Sequence, residues 1–217
     1  MAALLWENPG MSRTVPPAPE AIVAAAPAPV SEHQAIIDAT GLWLQRAVIG
    51  LNLCPFANAV HRKNQIRYVV SRAQDRDALA ADLATELLLL QTTDPDKTDT
   101  TLLIHPAVLT DFYDYNAFLE VADRILERLD LAGEIQVASF HPDYAFGDCA
   151  ADAIENYTNR SPYPMLHLLR ESSVEQAIAA YPDTERIYKK NIETLRQLGI
   201  DGWIALGLGP THATHDR

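Results

Sequence analysis

Cysteine is scarce in this chain of 217 residues, which holds two, Cys54 and Cys149. Two thiols cannot build a disulfide framework, and neither belongs to a Cys-x-x-Cys pair. The count fits a reducing compartment, so a cytoplasmic location with both thiols free is expected. Long apolar runs are missing as well. No run, Leu87-Leu88-Leu89-Leu90 included, approaches the roughly 18 residues that a membrane span needs. The opening Met1-Ala-Ala-Leu-Leu-Trp6-Glu7 has no basic region and does not read as a signal peptide, and Met11 is an alternative start. Positive charge is in deficit. Seventeen Lys and Arg face 29 Asp and Glu, which gives a formal net charge of −12 and a pI near 4.9. Neither nucleic acid nor an anionic membrane is an expected partner for such a surface. No Gly-x-Gly-x-x-Gly, Walker loop or Gly-x-Ser-x-Gly elbow occurs, and Gly207-Leu-Gly209 comes too late to open a βα unit. Signature metal spacings are absent, so no metal ligands are assigned, and no motif names a cofactor. Nothing in the sequence marks an oligomeric state.

What is present reads as a globular protein. Hydrophobic residues make up 48% and charged residues 21%, enough for a sizeable core. Proline concentrates early, at Pro9, Pro16, Pro17, Pro19, Pro27 and Pro29. Proline fixes φ and removes donors, so residues 1–30 are expected to form a flexible leader ahead of a single α/β domain at 31–217. Ile36, Ile37, Trp43, Leu44, Ala47 and Val48 recur at helical spacing, and Gly50 ends that helix. Ile66–Ser71, Thr100–Ile104 and Ile135–Phe140 read as strands from their β-branched and aromatic content. Helices alternate with them: one starts near Asp75 or Asp77, another is capped by Asp114. Residues 141–162 lack periodicity but carry aromatics, the pattern of an ordered functional loop. Pro164–Leu169 is a fourth strand, expected at an edge because of Pro164. Ser172-x-x-Glu175 reads as a capping box, and a last helix runs from Asp183 or Thr184 to Gly199. The expected fold is a mainly parallel mixed sheet of about four strands flanked by helices.

Chemistry-bearing residues gather at strand ends. Ile104-His105-Pro106 and Phe140-His141-Pro142 each place a histidine after a strand, and the first strand ends in Ser71-Arg72. In open α/β sheets, ligands bind beyond such carboxyl ends. Parallel strands would therefore put Arg72, His105, His141 and Asp143 on one edge. Proline leaving a strand explains the same pattern without any function. Cys54-Pro55-Phe56 follows a helix and a turn. A cysteine ahead of a helix can be a nucleophile, and a small buried core thiol is the plainer account. The triplet also occurs in glutaredoxins, but there it follows a strand, which argues against a thioredoxin fold here. Arg62, Lys63, Arg67, Arg72 and Arg76 cluster in an otherwise acidic chain, which suits a small anionic molecule or a solvated strand edge.

Gly50-Leu-Asn-Leu-Cys-Pro-Phe-Ala57, His141-Pro-Asp-Tyr144, Asn159-Arg-Ser-Pro-Tyr-Pro164 and Leu166-His-Leu-Leu-Arg-Glu171 resemble the bacterial and plastid family called domain of unknown function 1415. The likeness spans about residues 32–200. It implies a site built from the 50–57 turn and the 141–171 segment, with Cys54, Pro55, Phe56, His141, Tyr144, Asn159, Arg160, Ser161, Tyr163 and His167 at motif positions. It supplies no substrate. Two functions follow. In an enzyme acting on a small anionic metabolite, His141 is acid or base, Arg160 holds the anion and Cys54 is nucleophile or pocket wall. In a non-catalytic ligand- or partner-binding module, Asn159–Pro164 is a structural clasp and Arg160 binds loop carbonyls.

Overall fold

The computed structural model describes residues 31–180 and 184–208, and all of the following concerns those residues. The expected leader at 1–30 lies outside them. Helix α1 (Glu32–Trp43) is capped by Ser31, whose side chain accepts from the Gln34 N–H at 3.2 Å. It runs on as a π-helical segment, Leu44–Ile49, that ends at Gly50. The Gly50 N–H donates five residues back, to the Gln45 carbonyl at 3.0 Å. A Cβ at position 50 would lie 2.3 Å from the Arg46 carbonyl oxygen, so only glycine fits this exit. After the 51–56 turn come α2 (Ala57–Arg62), β1 (Ile66–Val70), α3 (Arg76–Thr92), β2 (Thr100–Ile104), α4 (Phe112–Arg128) and β3 (Ile135–Phe140). A 3-10 turn (Ile154–Thr158) leads to β4 (Met165–Arg170), α5 (Glu171–Ala180) and α6 (Thr184–Ala205).

Two local expectations are corrected. Asp111, not Asp114, caps α4: its carboxylate accepts from the N–H groups of Tyr113 and Asp114 at 2.9 and 3.1 Å. Asp114 sits in the first turn, where a negative charge still favours the helix dipole. The Ser172 capping box is not used, because α5 starts at Glu171 directly from the last residue of β4. Gly199, left-handed at φ 66°, ends the helix that starts at Thr184 as expected, and a second helical stretch within α6 follows it to Ala205.

The sheet is mixed, in the order β1-β2-β4-β3, not mainly parallel. Strands β1 and β2 pair parallel, whereas β4 pairs antiparallel with both β2 and β3. The cause is the path of the chain. The segment after β3 stays at the carboxyl edge, so the next strand must run back; a parallel one would need a crossover to the opposite edge. Strand β4 is also central, not at an edge. Pro164 precedes its first residue, so no ladder donor is lost, and the Pro164 carbonyl accepts from the His105 N–H at 3.0 Å.

Alternation along the strands divides the core. Leu103, Leu166, Leu168 and Ile135 meet α3 and α4, where Leu79, Leu83, Leu87 and Phe118 are wholly buried. Each such side chain contributes roughly 1.5–3 kcal/mol of burial. Leu102, Ile104 and Met165 point the other way, to α1, the π-helical segment and α6. Two arginines tie α3 to the sheet. Arg67 makes a two-pronged ion pair with Glu86 at 2.8 and 3.0 Å. Buried Arg170 donates to the carbonyls of Leu90 and Thr93 at the end of α3, and to Thr98.

Candidate functional site

The carboxyl ends of β1, β2 and β3 share one edge, so Arg72, His105, His141 and Asp143 lie along it. Arg72 and Asp143 are exposed there. The two histidines are completely buried. His141 accepts at Nδ1 from the Asp143 N–H at 3.0 Å and donates from Nε2 to the Leu109 carbonyl at 3.2 Å. Both ring nitrogens are used, which makes it a neutral imidazole. Burial lowers its pKa, although Asp143 and Asp111 pull the other way. Leu109 presents its carbonyl from a left-handed conformation, φ 55°, an uncommon backbone for a bulky residue. His105 donates from Nδ1 to Val108 at 2.8 Å, and its Nε2 is buried without a partner. Burial holds its pKa down at about 4. Between the two rings lies Tyr115, whose hydroxyl donates to the Met165 carbonyl and accepts from the Phe140 N–H. Burial pushes its phenol pKa up, so the hydroxyl stays protonated and bridges β3 to β4.

The 141–164 segment is pinned back over this edge. Asn159 donates to the Ser139 carbonyl at 3.1 Å, and its own carbonyl accepts from the His141 N–H. The Ser161 hydroxyl donates to the Tyr163 carbonyl at 2.7 Å. Arg160 donates to the carbonyls of Tyr144 and Ala151 at 3.3 and 2.7 Å, and its guanidinium lies 4.4 Å from the Tyr157 ring centre. The Arg160 carbonyl in turn accepts from the Trp43 indole at 2.9 Å. Tyr144 packs on Phe112 and Phe146, and Tyr163 packs on the face of the sheet covered by α1 and α6. At this edge the polar groups of His141, Asn159, Arg160 and Ser161 are spent on the protein itself. Asn156, which sequence reasoning passed over, is the buried hub of the loop. It accepts from Phe146 and donates to the carbonyls of Ala150 and Ala151.

Cys54 and His167 sit elsewhere, together. Both line a cavity of about 330 Å³, partly open to solvent, between the other face of the sheet and the helices. Trp43, Phe140, Leu102 and Ala138 form much of its apolar wall. Cys54 is half-buried on the turn after the π-helical segment. The turn is held by Leu53 N–H to Val48, and by buried Asn191 of α6, which donates to the Leu53 carbonyl at 2.8 Å. His167 stands midway along β4. The Thr100 hydroxyl donates to the Leu168 carbonyl at 2.7 Å, so towards His167 Nε2, at 2.6 Å, it accepts. The ring proton therefore sits on Nε2. His167 is half-buried and lines the cavity, and desolvation by the surrounding protein lowers its pKa to about 4. A groove of about 370 Å³ between α1 and β1, beside His61 and Asn64, is larger but more open to solvent.

Among the described residues no three His, Cys, Asp or Glu side chains converge as metal ligands, and no helix is long and apolar enough to cross a membrane. The model of the family described as "Protein of unknown function (DUF1415)" matches residues 35–205. The chain belongs to this family. No curated protein and no solved structure matches it. Of the residues that carried the likeness to the domain of unknown function 1415 family, Cys54, Phe56 and His167 line the cavity. Arg160 holds one of its walls, Trp43, through a backbone bond.

Proposed function

We propose that this protein binds a small, mostly apolar molecule in the cavity between β4 and the helices. The observation that carries this reading is a recessed space of about 330 Å³ whose walls are apolar apart from a few side chains, His167 among them. Ligand sites have this character, a hydrophobic lining with a small number of placed polar groups, and a folded core otherwise tolerates few voids. The His141, Asn159 and Arg160 clasp is then scaffold. It fixes the loop that follows Phe140 and braces Trp43, and those two rings pack edge to face at 5.3 Å in the cavity wall. Catalysis is a second reading, favoured by one observation. The Cys54 thiol lines the same space, so a bound electrophile would meet a nucleophile there.

The test is a melting-temperature screen of apolar small molecules, run beside an Ala138→Leu variant whose larger side chain fills the space. A bound molecule raises the melting temperature of the native protein and leaves the variant unmoved. Hits that shift both proteins equally would show that the cavity is not the site.

A further inference from the structure

We propose that the cavity selects a neutral molecule of about two fused rings that donates a hydrogen bond to Nδ1 of His167, and that it rejects anions. This rests on the reading of the cavity as a ligand site and adds the chemistry of the ligand. The direction of the hydrogen bond comes from Thr100. Its single hydroxyl proton goes to the Leu168 carbonyl, so its oxygen can meet His167 only as an acceptor. That places the imidazole proton on Nε2 and leaves Nδ1 a bare lone pair. Nδ1 has no partner among the described residues, and it is not among the polar atoms closed off from solvent, so it opens on the cavity. A buried acceptor in an apolar wall is complemented by an O–H or N–H, and a ligand lacking one leaves it unpaired.

The rejection of anions follows from the lining. No Lys or Arg side chain lines the cavity among the described residues, and the acidic residue at its wall is Asp99. The Ser173 hydroxyl donates to the Asp99 carboxylate at 2.6 Å. A carboxylate or phosphate would lose its water here, gain no counter-charge, and face both Asp99 and the Nδ1 lone pair. His167 does not help by protonating, because its surroundings hold it neutral at physiological pH. Size follows from the volume. A cavity of roughly 150 Å³ takes benzene, and this one, at about 330 Å³, has room for two rings.

Three matched probes separate the terms: 1-naphthol, naphthalene and 1-naphthoate, titrated into the full-length protein at neutral pH by calorimetry. The ¹⁵N resonance of His167 Nδ1 is followed in the same samples. 1-Naphthol is expected to bind roughly three- to tenfold more tightly than naphthalene, the worth of one net hydrogen bond. 1-Naphthoate should bind at least about tenfold more weakly than 1-naphthol. Nδ1 should move to the position of a hydrogen-bonded acceptor with 1-naphthol and stay put with naphthalene. Equal binding of naphthol and naphthalene, tight binding of the naphthoate, or an unmoved Nδ1 would overturn the assignment of ligand chemistry while leaving the cavity a binding site. If none of the three binds, or all bind Ala138→Leu as well as the native protein, the cavity reading and the ligand class fall together.

Discussion

Mild acid should unfold this protein through its histidines. His105 and His167 are both neutral in the fold, with pKa values lowered to about 4 by burial. A second proton on His105 would land on Nε2, where nothing accepts its hydrogen bond. On His167 it would place a cation in an apolar cavity. The unfolded chain has no such restraint and takes up a proton at each imidazole near pH 6.5. The sign follows directly. Stability is intact above about pH 6.5, falls as the pH drops through the window, and the loss is complete below about pH 4. Each histidine contributes a slope that rises towards roughly 1.4 kcal/mol per pH unit, so the pair removes about 3 kcal/mol between about pH 6.5 and about pH 5. Against a net stability of roughly 5–15 kcal/mol, that is a large share. His141, also lowered by burial, adds to the loss with the same sign.

Urea unfolding at half-unit pH steps measures this slope, which counts the protons taken up on unfolding. About two are expected near pH 5.5, a range that keeps most carboxylate titration out of the measurement. Imidazole resonances of His105 and His167 should stay fixed over the same range. A stability that is flat from about pH 6.5 to about pH 5, or either ring titrating near its ordinary pKa, would refute the reasoning.

Other perturbations test the scaffold and the cavity. Gly50→Ala drives a Cβ against the Arg46 carbonyl oxygen and should cost about 1–3 kcal/mol by thermal or urea unfolding. Arg160→Lys keeps the charge but loses the fork that reaches two loop carbonyls and the stacking on Tyr157. A destabilisation of about 1–3 kcal/mol, lowering the melting temperature by roughly 2–10 °C, is expected, and an unchanged melting curve would remove the clasp role. Cys54 should be alkylated in the folded protein and protected when a ligand fills the cavity, read by mass spectrometry of the labelled peptide. Cys149 should be slow and indifferent to ligand, because desolvation and neighbouring Asp148 push its thiol pKa up.

Strands β2 and β3 fall at the bounds their apolar, β-branched runs suggest, because a run of that kind has few other ways to bury itself. The shared edge of His105 and His141 was legible for the same reason. Their use was not. The groups that satisfy His141 are the Asp143 N–H and the Leu109 carbonyl, and backbone atoms carry no sequence signature. Arg160 was open to two readings until its partners, the carbonyls of Tyr144 and Ala151, were in place. The π-helical segment was equally hidden. Leu44–Ile49 has ordinary helical spacing, and the wider turn shows only in the structure, in the five-residue bond from the Gly50 N–H to the Gln45 carbonyl.

The cavity was out of reach of periodicity because its decisive pairings cross the sheet. Strand β4 enters from the carboxyl edge and slots between β2 and β3, so His167 has Leu102 on one side and Ala138 on the other. At an edge, His167 would have one flanking strand and solvent beyond it, and its proton would titrate freely. In the centre, the neighbouring strands desolvate the ring, and Thr100 of β2 fixes its proton. Alanine at 138 is the other half of the arrangement. A larger residue beside His167 would fill the space over the ring, whereas a single methyl group leaves it open. Strand order and one small side chain thus turn an ordinary in-strand histidine into a neutral acceptor facing an apolar void, and neither is visible along one strand alone.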